Sequence, residues 1–150
     1  MKKLFLIILI VYANFIQAQI VNINDLVLTC NKISIFKNNR AKIEIRLLNK
    51  SKDTLKYRSM SCSWQEFYSC NSGNINIAVN ECDKNIPVIL ILNPNESRIV
   101  TLTMIAKKPI PNYFKLGLKI GQIEKPQLFI SNSKVENCQI IWSSTISTRK

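Results

Sequence analysis

The chain has 150 residues, 21 of them Lys or Arg against 9 Asp or Glu, for a formal charge of +12, and it contains no histidine. That length holds one domain, for which roughly 100 to 200 residues is usual. Without imidazole there is no Ser-His or Cys-His pair, no histidine proton shuttle and no ordinary catalytic zinc site. The three glycines form neither GxGxxG nor GxxxxGK[ST], so those two phosphate-cradling loops are excluded, and no cofactor is expected.

Met1, Lys2 and Lys3 form a positive start, residues 4–11 are continuously apolar, and Gln17 and Ala18 close the stretch. This reads as a secretory signal peptide over residues 1–18, cleaved after Ala18 to leave Gln19 as the new N-terminus. An uncleaved signal anchor is the alternative. The apolar run is shorter than the roughly 20 residues needed to span the hydrocarbon of a bilayer. Residues 86–92 form a strand-sized apolar run containing Pro87, so no membrane span is expected after cleavage. Residues 19–150 remain as a single domain with 19 basic and 9 acidic side chains.

Alternation dominates that domain. Leu26, Leu28 and Cys30 share one parity, and Ile43, Ile45 and Leu47 alternate with Lys42, Glu44 and Arg46, the pattern of a strand with one dry face. Residues 49–53 are polar and suit a reversal, after which Leu55 and Tyr57 alternate with Lys56 and Arg58. Ile75, Ile77 and Val79 follow the turn residues Asn71, Ser72, Gly73 and Asn74. In residues 86–92 apolar side chains occupy both parities, which predicts a strand buried on both sides.

Asn93-Pro94-Asn95-Glu96 is the clearest turn, since proline presets φ and asparagine tolerates tight backbone geometry. Beyond it Val100, Leu102, Met104 and Ala106 alternate with Ile99, Thr101, Thr103 and Ile105. Pro109 and Pro111 then interrupt pairing. Phe114, Leu116, Leu118 and Ile120 form the next apolar face; residues 127–130 and 138–146 close the series, the last with Cys138, Ile140, Trp142 and Ile146 on one parity. About eight short strands at such spacing predict an all-β fold, an immunoglobulin-like antiparallel β-sandwich of about 7–9 strands.

The positive charge is carried by 16 Lys and 5 Arg spread along the chain, beside 24 Ile and 17 Asn, a skew expected of an A/T-rich genome. No RNP, zinc-finger or helix-turn-helix signature accompanies it, so no nucleic-acid partner is expected.

Cys30, Cys62, Cys70, Cys82 and Cys138 in an exported chain point to disulfides. With one thiol left over, 5 times 3, or 15, two-bridge arrangements exist. Cys62–Cys82 is the first choice, closing the excursion between two strands, with Cys62–Cys70 its main competitor. Cys30–Cys138 is a second bridge if the first and last strands are neighbours, and Cys70 is then unpaired. No CxxC occurs and the spacings match no zinc module, so no metal site is expected.

Residues 60–70 lack Ile and Lys and concentrate Trp64, Phe67 and Tyr68 between two cysteines. Rigid aromatics beside a disulfide lose little entropy on contact, which makes these three the candidate binding residues. Trp64 is expected to pack against a bridge in the core, and Phe67 and Tyr68 to lie exposed in a turn. Glu66, Glu81, Asp83 and Glu124 are the carboxylates a hydrolase would need, but nothing in the sequence places any two together. Asn49-Lys50-Ser51 and Asn95-Glu96-Ser97 match the glycosylation sequon and carry no weight in a bacterial-type chain.

Residues 49–55, Met60-Ser61-Cys62-Ser63-Trp64 and the run from Ile89 through Asn95 into residues 100–104 resemble small exported proteins of Gram-negative bacteria with immunoglobulin-like sandwiches. The Asn-rich turn and the Leu92-Asn93-Pro94-Asn95-Glu96-Ser97 turn are also similar to bacterial BsuPI-type proteinase-inhibitor domains. The likeness covers about half of residues 19–150 and implies a fold, not an activity. It carries no inhibitory residue over, and the cysteines are outside that inhibitor's pattern. The expected function is therefore non-catalytic binding of a protein or cell-surface component, such as a surface glycan, through loops, in the periplasm or after secretion. The alternatives are a sandwich-type proteinase inhibitor and a carboxylate-based hydrolase.

Overall fold

The computed structural model describes residues 21–36, 38–122 and 138–149. The signal peptide, its cleavage site, the strand expected at 127–130 and Glu124 lie outside the described residues. Among those described, eleven strands occur: β1 (Leu26–Phe36), β2 (Arg40–Asn49), β3 (Leu55–Met60), β4 (Tyr68–Cys70), β5 (Ile75–Ile77), β6 (Pro87–Leu92), β7 (Ser97–Ala106), β8 (Tyr113–Phe114), β9 (Leu116–Gly121), β10 (Cys138–Trp142) and β11 (Ile146–Ser147). Four of these, β4, β5, β8 and β11, have only two or three residues, which is why the alternation pattern registers fewer strands. Among the described residues the only helical pieces are two 3-10 turns, Ile23–Asp25 and Trp64–Phe67. The fold is all-β and every pairing is antiparallel.

One sheet runs in the order β1-β2-β7-β5. A second group comprises β10-β9-β4 and the β3-β6 pair, linked where Tyr57 bridges Gln122 just beyond β9. The small pair β11-β8 completes the described strands. Alternation explains the packing: Ala41, Ile43, Ile45 and Leu47 of β2, Leu102 and Met104 of β7, and Leu116, Leu118 and Ile120 of β9 point into one buried cluster with Leu55, Tyr57, Leu92 and Phe114. Each fully buried aliphatic side chain contributes about 1.5–3 kcal/mol relative to exposure. That shared core holds the strand groups together.

Several details depart from the pattern read along the chain. The register of β1 against β2 shifts between Cys30 and Lys32, so the inward parity changes from Leu26 and Leu28 to Ile33. A bulge inserts one residue and exchanges the faces, and it extends β1 well past Cys30. In β6, Ile91 is 54% exposed and Ile89 also faces out, so the strand is covered on one side only. In β10 the inward residue is Ile141, while Ile140 and Trp142 face outward. The cause lies on the neighbouring strand. A Cβ on Gly117 would stand 2.8 Å from Ile140 Cγ2 and 3.0 Å from Trp142 Cζ3, so both side chains occupy the space this glycine leaves.

Five of the outward isoleucines have a common partner type, whereas exposed Ile35 stands opposite Ala41. Ile99 pairs across the strands with Arg46, Ile105 with Arg40, Ile89 with Arg58, Ile91 with Lys56 and Ile140 with Lys119. Cross-strand partners stand on the same face within reach of one another, and the aliphatic stems of Lys and Arg cover apolar surface while their charges stay in water.

Asparagines hold the turns. Asn38, Asn39 and Asn95 adopt positive φ of 66°, 56° and 60°, a conformation asparagine tolerates better than most residues. In the expected turn after β6, Glu96 Oε2 accepts from the Asn93 amide at 2.8 Å. Asn49, wholly buried, aims Nδ2 at the carbonyls of Asp53, Leu92 and Asn93 at 2.8, 3.0 and 3.3 Å, and its Oδ1 accepts from the Ser51 amide at 3.0 Å. The first sequon asparagine is thus an internal staple between two turns.

Candidate functional site

The aromatic segment is clamped at its entry. A disulfide joins Cys62 to Cys82, 20 residues apart, as the cysteine spacing led one to expect. Asn85 reinforces it: its Oδ1 accepts from the amides of Cys62 and Ser63 at 3.3 and 3.2 Å, and its Nδ2 donates to Ser63 Oγ at 2.6 Å. The Ser61 amide donates to the Ile86 carbonyl at 2.9 Å, and the Ile86 amide to Ser61 Oγ at 3.1 Å. Residues 61–63 are therefore held against residues 82–86 before the 3-10 turn begins.

That turn brings Trp64 and Phe67 over the place where β3 and β9 part beyond the Tyr57–Gln122 bridge. Both are partly buried against the core. Tyr68 follows in β4 opposite Leu118, so its ring takes the inward face of β9. Trp64 and Tyr68 meet edge to face, with ring centroids 6.0 Å apart and planes at 84°, a favoured aromatic arrangement. The expectation of exposed Phe67 and Tyr68 is corrected by this pairing: the turn is short and returns at once into a strand. Gln65, between them, is 5% exposed, and its Oε1 has no hydrogen-bond partner among the described residues.

Beneath the segment lies a cleft of about 280 Å³. Tyr57, Tyr68 and Leu118 wall it from one layer, Arg98 and Val100 of β7 from the other, and Val88 and Leu90 of β6 from the side, with Trp64 and Phe67 above. Arg58, Lys119 and Met60 stand at its margin, with Ser59 and Ser61. Among the described residues, no Asp or Glu lines it. Burial pushes the Tyr68 phenol far above the usual range, and the neighbouring Tyr57 adds to this while Arg98 opposes it. Burial also raises Tyr57, partly offset by the Arg98 guanidinium beside it. Both phenols therefore stay protonated at neutral pH.

The structure thus brings together Trp64, Phe67 and Tyr68 and adds Tyr57, Arg98 and the β6 side chains, which the sequence reading missed. One signal was present: Arg98, itself exposed at the end of β7, shares the parity of Val100, Leu102 and Met104, whose row leads into the core. Glu66, Glu81 and Asp83 are exposed and none lines the cleft. Cys30, Cys70 and Cys138 carry free thiols. Cys30 and Cys138 do not form the expected second bridge: both thiols are free, although β1 and β10 touch from different sheets. Burial pushes the Cys30 and Cys70 thiols up. Among the described residues, no group of three or more His, Cys, Asp and Glu could hold a metal ion, and no helix is long and apolar enough to cross a membrane.

No family model matches the chain, and no curated protein matches it.

Proposed function

We propose that the chain is an exported, non-catalytic binding protein with an immunoglobulin-like β-sandwich, which takes a protein or surface glycan at the cleft under Trp64, Phe67 and Tyr68. The fold reading is supported by the order β1-β2-β7-β5, which runs like the A-B-E-D sheet of that fold, with β3, β9 and β10 in the places of C, F and G. Two departures accompany it: β4 is the strand paired along β9 opposite β10, with β3 joined only through the Tyr57–Gln122 bridge, and β6 follows β5 in the chain yet pairs with β3. Export is supported by the signal-like start and by the Cys62–Cys82 disulfide, a bond that persists in oxidising compartments.

The observation that carries the binding reading is the disulfide-clamped aromatic segment roofing a cleft. A concave, mainly apolar site with a few converging polar groups is the usual form of a binding site, and aromatics already held in place give up little freedom on contact. Replacing Trp64, Phe67 and Tyr68 singly by Ala and titrating against panels of glycans and exported proteins tests it. Affinity for the partner found should fall about tenfold or more at one or more positions while the β-type circular dichroism is retained. Unchanged affinity in all three variants would remove the cleft as the site, and turnover of a substrate by the purified chain would overturn the non-catalytic reading.

A further inference from the structure

We infer that the cleft takes a carboxylate carried on an apolar body, the acid group meeting Arg98 and the two phenols and the body meeting Leu90, Val100 and Leu118. The inference rests on the binding reading above and names the ligand chemistry.

The donor and acceptor inventory decides the class. Arginine, lysine and the tryptophan indole donate only, and among the described residues no side-chain carboxylate or amide contributes to the lining to balance them. Among the side chains of the described lining, sugar hydroxyls, which are donors as well as acceptors, find strong acceptors only in the hydroxyls of tyrosine and serine. A group that only accepts fits the wall better. The Arg98 guanidinium presents a planar fork that matches a carboxylate with two parallel bonds, and the protonated phenols of Tyr57 and Tyr68 add donors from the same end. Charge agrees with this, because among the described residues the cations at the cleft have no acidic neighbour in its lining.

Size and the apolar wall limit the rest of the ligand. About 280 Å³ is at the lower end of small-molecule sites, enough for one aromatic or branched aliphatic group with its acid. Two sources share that chemistry: a free small acid, and the C-terminal carboxylate of a peptide whose last residue is apolar.

The test uses the full exported chain with the Trp142→Phe substitution, which leaves Trp64 as the only fluorophore of its kind. The probes are 3-phenylpropionate and an acetylated pentapeptide ending in phenylalanine, each compared with its amide. Saturable quenching by an acid, about tenfold tighter than by its amide, is expected, and whichever acid binds tighter identifies the source. Arg98→Gln should remove that preference, and Arg98→Lys should restore part of it. Equal binding of acids and amides, an unaltered preference in Arg98→Gln, or no binding of either acid at millimolar concentration overturns the inference. A neutral glycan or peptide whose binding is lost on Trp64→Ala would overturn only the ligand class. Binding of any partner that ignores Trp64, Phe67 and Tyr68 would overturn the cleft reading itself.

Discussion

Asn49 Nδ2 and the carbonyl of Leu92, 43 residues apart, are joined by a buried hydrogen bond of 3.0 Å that ties the end of β2 to the end of β6. The same amide serves the Asp53 and Asn93 carbonyls, so one side chain satisfies backbone acceptors in two turns. Asn49→Ala strands those acceptors and should cost about 2–3 kcal/mol, read as a lower urea midpoint. Asn49→Asp should be worse at neutral pH, where a carboxylate would face carbonyls, and should recover when acid protonates it. An Ala variant within 0.5 kcal/mol of the parent, about the spread of ordinary surface changes, would show the staple to be dispensable.

Gly117 and Gly73 form a matched pair. A methyl at Gly117 meets Ile140 and Trp142, whereas nothing lies within 4 Å of one at Gly73. Gly117→Ala should cost about 1–2 kcal/mol through displaced side chains and shift the Trp142 fluorescence. Gly73→Ala should leave both stability and fluorescence unchanged.

The raised phenols predict a basic limit. An unfolded tyrosine loses its proton near pH 10, while folded Tyr57 and Tyr68 hold theirs longer because burial disfavours the phenolate. From that pH upward the unfolded chain binds fewer protons than the folded one, so stability falls as pH rises towards the folded values and is fully kept below pH 10. Denaturation midpoints between pH 8 and 11 should show this decline, and Tyr68→Phe should flatten it. A decline of the same steepness in the variant would assign it to other groups.

Thiol counting checks the cysteine assignments. The denatured chain should react at three cysteines without reductant and at all five after reduction. In the folded state Cys30 and Cys70 should react slowly with alkylating reagents, since burial holds their thiols protonated. Replacing Cys62 and Cys82 together by Ser reopens a loop of 20 residues and should cost about 3 kcal/mol in the chain-entropy model. A loss far below that would mean that the hydrogen bonds of Asn85 hold the segment alone.

Strands with apolar residues on one parity were legible from their alternation along the chain. Ile43, Ile45 and Leu47, and Leu116, Leu118 and Ile120, are buried as their alternation predicts. Where both parities are apolar, the sequence offers no local criterion, and the outcome depends on a neighbouring strand. Ile141 turns inward because Ile140 and Trp142 find room over Gly117, more than twenty positions earlier. Ile89 and Ile91 turn outward opposite Arg58 and Lys56. The aromatic segment was visible by contrast with its surroundings. Its cleft was not, because β7 and β9 bring Arg98 and Leu118 to it through long-range pairing.

The opposition of outward isoleucine to lysine or arginine governs how copies of this chain behave in concentrated solution. Where an exposed isoleucine stands opposite a cation, the hydrocarbon is fenced by positive charge, so two molecules should repel before those strips can touch. Raising ionic strength from about 0.01 M to 1 M shortens the reach of that repulsion from about 30 Å to about 3 Å. The colloid is then kept dispersed by electrolyte-sensitive forces, and salting brings it together along its own strand rows.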